Sequence, residues 1–236
     1  MRISDAYLGT RQVCLRRRGE IVLCEGVPNW ETGLEQLLDA LESYPRERIR
    51  LWLSGGLCRP FLVACVDGVE SSQEWELVAQ TLAAEATGLS EPCDVWLEKV
   101  AGGQRLAVAL EQSVKQQILK SFGGRLRALG PWWNEVQRTA MKKDRNLTTL
   151  VVLDCDAVTI LRCDHKAPQN WMHAQSTVIG DQDALAVINR LRMGLDWPEG
   201  DDIPLVRLRA VGASPDRALP VSRDREEQAV FAQEAA

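Results

Sequence analysis

Long apolar runs are missing from this chain of 236 residues. No stretch approaches the roughly 18 consecutive apolar residues that a bilayer-spanning helix needs. Met1-Arg2-Ile3-Ser4-Asp5 has no apolar segment of the kind that marks a secretory signal, so a cytoplasmic location is the expectation. Histidine is nearly absent, with only His165 and His173, and no CxxC pair occurs among the seven cysteines. A zinc site built from Cys163, His165 and His173 would lack a fourth ligand at suitable spacing, and no metal is expected. The odd cysteine count, and settings such as Phe61-Leu62-Val63-Ala64-Cys65, read as small buried hydrophobes and not as a disulfide framework. Dense positive charge is also scarce. Arg16-Arg17-Arg18 is the one basic run, and a net charge of -5 excludes a mainly electrostatic nucleic-acid binder.

What is present fits an ordinary soluble domain: 45% hydrophobic and 26% charged residues, in a chain long enough for one large core or two small lobes. Residues 2–25 alternate as a three-stranded meander with bends at Gly9-Thr10 and Arg18-Gly19-Glu20. Leu34, Leu37, Leu38 and Leu41 are spaced for a helix from Trp30 to Tyr44, ended by Pro45. Ile49–Ser54 alternates as a strand and breaks at Gly55-Gly56. In the middle, strand Phe61–Cys65, a helix opened by Ser71/Ser72 and closed by Gly88, a hairpin around Gly102-Gly103, helix Glu111–Phe122 and strand Arg125–Gly130 follow one another. That βαββαβ order fits a ferredoxin-like unit, or an inserted subdomain sharing strands with the first lobe. A helix from Pro131-Trp132-Trp133 to about Met141 leads to a second meander, Leu147–Leu153, Val158–Cys163 and Trp171–Val178. A helix capped by Asp181 and stopped by Gly194, then strand Pro204–Val211, repeat the order of the first lobe. The expected division is a first lobe at 1–59, a middle α/β subdomain at 60–130, a second lobe at 131–215 and a disordered tail at 216–236.

Three turns have chemical potential. Leu8-Gly9-Thr10 offers backbone N–H groups and a hydroxyl to an anion. Asp154-Cys155-Asp156 places carboxylates at the bend of the second hairpin. Val211-Gly212-Ala213-Ser214 is a third small-residue turn. Gly, Thr and Asp are also ordinary turn residues, so each segment taken alone is compatible with a plain hairpin. Two adjacent indoles at a helix start, Trp132 and Trp133, cannot both face a core easily. Either one of them anchors a partner protein, or both cover packing between lobes. Ser54-Gly55-Gly56 resembles an oxyanion-type loop only in outline, with no Ser-His-Asp set around it.

In their order, Leu8–Leu15, Leu150–Leu161 and Val211–Ala213 resemble the phosphate and nucleoside turns of the actin-like (ribonuclease-H-like) ATPase superfamily. Within it the chain is similar in plan to the type IV pilus protein PilM and the cytoplasmic domain of the type II secretion protein GspL. The resemblance implies an α/β fold of two ribonuclease-H-like lobes with a small middle subdomain. It also implies a degenerate nucleotide site at Gly9, Thr10, Asp154, Asp156 and Gly212. Tyr7 stands where the superfamily carries a metal-positioning aspartate, Asp5 lies two residues earlier as a candidate substitute, and Asp156 stands where glycine is usual. By resemblance the expected role is a non-enzymatic adaptor of a pilus or secretion assembly platform, peripheral at the inner membrane and without a cofactor. Its partners would be the N-terminal cytoplasmic tail of an inner-membrane assembly protein and a motor ATPase or its neighbours, with membrane contact only through them. A homodimer is left open. The alternative is a nucleotide-binding ATPase or kinase using ATP and magnesium, with Asp5 and Asp154 around the metal. A third reading makes residues 60–130 the partner-binding surface.

Overall fold

Two hairpins, each followed by a third strand, a helix and a strand returning parallel to the first, generate the architecture. It was obtained as a computed structural model describing residues 3–89, 92–98, 104–143, 148–164, 171–179, 184–194 and 205–207. In the first lobe β1 (Ile3–Leu8), β2 (Gln12–Arg17) and β3 (Glu20–Gly26) form the meander, α1 (Trp30–Glu42) crosses over, and β4 (Arg48–Leu53) pairs parallel with β1. In the second lobe β9 (Thr149–Leu153), β10 (Ala157–Cys163) and β11 (Trp171–Val178) are followed by α5 (Ala184–Gly194). Strand β12 (Leu205–Arg207) then pairs parallel with β9. The same parallel return of strand four to strand one in both sheets makes the two lobes copies of one plan.

Between them lie β5 (Cys58–Val63), α2 (Ser72–Thr87), β6 (Cys93–Leu97), β7 (Arg105–Glu111), α3 (Gln112–Phe122), a short 3-10 turn at Gly123–Arg125, β8 (Leu126–Pro131) and α4 (Trp132–Lys143). The βαββαβ order does not close into one sheet. Strands β5, β7 and β6 form their own antiparallel sheet, whereas β8 pairs parallel with β4 on the edge of the first lobe, Leu51 opposite Leu129 and Leu53 opposite Pro131. The middle unit is therefore an insertion into the first lobe, which regains its last strand after α3. Pro60 helps keep β5 on an edge of the small sheet, because proline has no N–H to give a second neighbour.

Local signals explain the helices. Asn29 caps α1 by accepting from Thr32 N–H at 2.8 Å, and Leu34, Leu37 and Leu41 are buried along one stripe against β1 and β2. Gly33 lets the helix come close, since a Cβ there would stand 3.0 Å from Leu8 Cδ1. The far end of α1 is held by Arg125, whose guanidinium donates to the carbonyls of Leu41 and Tyr44 at 3.3 and 3.1 Å. Ser71 and Glu74 form a capping box on α2, and Gly88 ends it in the left-handed conformation at φ 68°.

Strand alternation then assigns the cores. Leu150 and Val152 of β9 and Leu161 and Cys163 of β10 join the largest cluster together with first-lobe residues. Val151, Val158 and Ile160 face the other way, into a smaller cluster with Val187 and Ile188 of α5. The lobes thus share one core. The expected Gly102-Gly103 bend, Asp181 cap, Gly212 turn and tail at 216–236 lie outside the described residues. Among the described residues, no helix is long and apolar enough to cross a membrane.

Replacing Asn29 by alanine removes the α1 cap. It is expected to lower stability by about 1 kcal/mol in urea denaturation, with an unchanged denaturant slope.

Candidate functional site at the facing hairpins

The two lobe-opening hairpins meet tip to tip. Gly9 N–H donates to Gln12 O at 2.8 Å and closes the first tip, and Asp154 N–H donates to Ala157 O at 2.8 Å and closes the second. A third turn follows β4. Ser54 N–H bonds Leu8 O at 3.0 Å, and Ser54 O accepts from Leu57 and Cys58, which leaves the Gly55 N–H pointing out of the turn.

Carboxylates of the second hairpin fill the donor positions of the first lobe. Asp156 Oδ2 accepts from Thr10 N–H at 2.6 Å and from the Ser54 hydroxyl at 2.8 Å, while Asp154 Oδ2 accepts Gly55 N–H at 2.8 Å. Asp154 is 3% and Asp156 2% exposed, so these contacts lie out of water. The second oxygen of each carboxyl, Oδ1, has no hydrogen-bond partner among the described residues. Burial and then the neighbouring Asp156 charge push the Asp154 carboxyl well above the usual range, opposed by the Gly55 N–H.

Tyr7 closes the side of the site. It is fully buried, its ring meets Trp132 edge-to-face at 6.1 Å, and its hydroxyl lies 3.5 Å from Cys155 Sγ across the lobe boundary. Burial first, then the charges of Asp154, Cys155 and Asp156, raise the phenol well above its ordinary value, so it stays neutral. Packing is tight around the glycines. A Cβ on Gly55 would overlap Ser176 Oγ and Thr159 Oγ1, and one on Gly56 would come within 2.8 Å of Asp156 Oδ2.

The structure brings Gly9, Thr10, Asp154 and Asp156 together, and Gly212 lies outside the described residues. Asp5 does not join them. Its carboxylate holds Arg50 at 2.7 and 2.8 Å and sits 3.4 Å from the Trp52 indole nitrogen, because the β1–β4 register sets Asp5 directly opposite Arg50. Among the described residues, no group of three or more histidine, cysteine, aspartate or glutamate side chains is arranged to hold a metal. As arranged, the hairpins do not fit a metal-bound triphosphate. Thr10 N–H and the Ser54 hydroxyl already serve Asp156, and Tyr7 has no carboxylate with which to order magnesium waters.

The expectation of an indole on a partner surface is corrected. Trp132 and Trp133 are 0% and 1% exposed, and Trp133 donates to Cys58 O at 3.2 Å. Trp132 packs on Tyr7 while Trp133 reaches Cys58, and the shared core buries both. Ser54 and Gly55 complete the site, although little in the sequence marked them. Their only signal was a polar residue before two glycines at a strand end, where backbone N–H groups are left for an outside acceptor.

Two ribonuclease-H-like lobes with facing hairpins define an actin-like ATPase fold. Solved structures bear this out. One is a protein of Bacteroides thetaiotaomicron with actin-like ATPase fold and unknown function, 11% identical, with a TM-score of 0.59 over 90% of this chain and 83% of that one. Another is the cytoplasmic domain of EpsL, an inner-membrane component of the type II secretion system of Vibrio cholerae, 13% identical, TM-score 0.53, covering 88% and 82%. A third is the PilM–PilN type IV pilus biogenesis complex, 11% identical, TM-score 0.53, covering 88% and 81%. At such identities the likeness is one of fold. No family model matches the chain, and a search of curated proteins finds no match.

Gly55→Ala is expected to destabilise the protein by roughly 1–3 kcal/mol through overpacking against Ser176 and Thr159. Gly124→Ala, which meets nothing within 4 Å, should stay within about 0.5 kcal/mol of wild type in the same thermal unfolding series.

Proposed function

We propose that this protein is a non-enzymatic scaffold in the inner-membrane assembly platform of a bacterial type IV pilus or type II secretion machine. It acts from the cytoplasm and binds partner proteins through an actin-like fold whose nucleotide site has been given over to holding the lobes together. The observation that carries the reading is the Asp156 carboxylate on Thr10 N–H, in the place where the fold otherwise receives phosphate. A triphosphate would have to displace the buried Asp156 carboxylate from its donors, and like charges in a poorly solvated site repel strongly. Tyr7 supports the same reading, since a fully buried phenol packed on Trp132 stabilises the closed arrangement without supplying metal chemistry. The fold shared with EpsL and with PilM, which forms a complex with PilN, supports the choice of machine. The partner in this reading is the N-terminal cytoplasmic tail of an inner-membrane assembly protein, with a motor ATPase or its neighbours next to it.

Calorimetric titration of ATP with magnesium into folded protein is expected to give no binding below millimolar concentration. Micromolar affinity would instead favour the nucleotide-dependent ATPase or kinase. In parallel, a fluorescent peptide of the host's inner-membrane assembly-protein tail is expected to bind with an anisotropy change that a scrambled peptide does not give.

A further inference from the structure

We propose that Asp154 and Asp156 form a clasp between the lobes, shut while Asp154 holds a proton and loosened when that proton leaves. Both groups belong to one three-residue turn and both are nearly excluded from water. Each uses Oδ2 on a donor of the opposite lobe and leaves Oδ1 without a hydrogen-bond partner. Two charged carboxylates with bare oxygens in such a place are strongly unfavourable. A proton on one of them removes the repulsion and leaves its other oxygen free to accept.

The groups facing the pair can be named element by element. From β1 comes the Tyr7 hydroxyl, and from the turn itself the Cys155 thiol. Thr10 N–H belongs to the first hairpin, the Ser54 hydroxyl and Gly55 N–H to the turn after β4, and the hydroxyls of Thr159 and Ser176 to β10 and β11, bonded to each other at 2.7 Å near Gly55. No lysine, arginine or histidine among the described residues pairs with either carboxylate. The phenol and the thiol are themselves pushed toward their neutral forms, by burial first. With no cation among the described residues to balance two negative charges, a proton is the compensating species.

The sign follows from which state binds the proton. The Asp154 carboxyl holds its proton to higher pH when folded than when unfolded. Its contribution is complete below the unfolded value of about 4 and is lost as pH rises through the folded value. The clasp therefore weakens toward alkaline pH.

The test compares unfolding equilibria of wild type and Asp154→Asn from pH 4.5 upward, using only their difference so that all other carboxylates cancel. The amide keeps an acceptor for Gly55 N–H and cannot ionise. The folding constant of wild type relative to the variant is expected to fall by up to about tenfold per pH unit before levelling off. A ratio that does not change with pH overturns the proposal. A second readout needs no variant. Exchange of the Thr10 and Gly55 amides, corrected for intrinsic base catalysis, should accelerate with pH relative to the Gly9 amide, which is bonded inside its own hairpin. Parallel behaviour of all three amides also overturns it. The infrared carbonyl stretch of a protonated carboxyl, present in wild type at the acid end of the series, lost as pH rises and missing in Asp154→Asn, completes the expected result.

Discussion

Asp156 places one carboxylate oxygen between Thr10 N–H and the Ser54 hydroxyl, and most of what distinguishes this molecule depends on that contact. A tight turn between strands leaves backbone N–H groups without partners in their own sheet, and buried N–H groups must find acceptors. In a fold that receives nucleotide the acceptor comes from solution. Here it comes from the next hairpin of the same chain, and the Gly55 N–H is satisfied likewise by Asp154. The closeness of Gly55 and Gly56 to the second hairpin follows, because a side chain at either position would occupy space the clasp already fills.

The clasp fixes how the lobes meet more than it supplies stability. Charged groups taken out of water lose solvation that their new hydrogen bonds only partly return. The stabilising burial lies around them, in one apolar cluster that runs from α1 across the first sheet to Trp132, Trp133 and the inner faces of β9 and β10. Tyr7 belongs to both systems, its ring in the core and its hydroxyl at Cys155. Opening the lobes would expose the apolar cluster and the buried carboxyls together, which couples proton binding at the turn to packing elsewhere.

Much of the secondary structure was readable from local chemistry. The leucines of α1 follow a helical stripe, the Ser71–Glu74 box and Gly88 bracket α2, and the alternation on either side of Gly9-Thr10 places a hairpin there. The repeated order of meander, helix and strand was readable for the same reason, since each element carries its own periodicity. Not readable was the partner of each strand. Whether β8 joined the middle sheet or the first lobe was decided by its parallel register with β4, a contact between segments far apart in the chain.

The amino-acid order by itself determined where the turns fall, which residues they carry and that no aspartate stands at position 7. Those are one-dimensional properties, set by φ/ψ preferences and side-chain chemistry. Only the tertiary structure decided that Asp154 and Asp156 answer Gly55, Thr10 and Ser54, that Asp5 is taken by Arg50, and that both tryptophans turn inward. Each of those outcomes is a choice of partner across about 45 to 146 residues of chain, with the span fixed by how the two sheets pack. A carboxylate in a sequence shows that it needs a donor, and only the packed fold supplies a particular one.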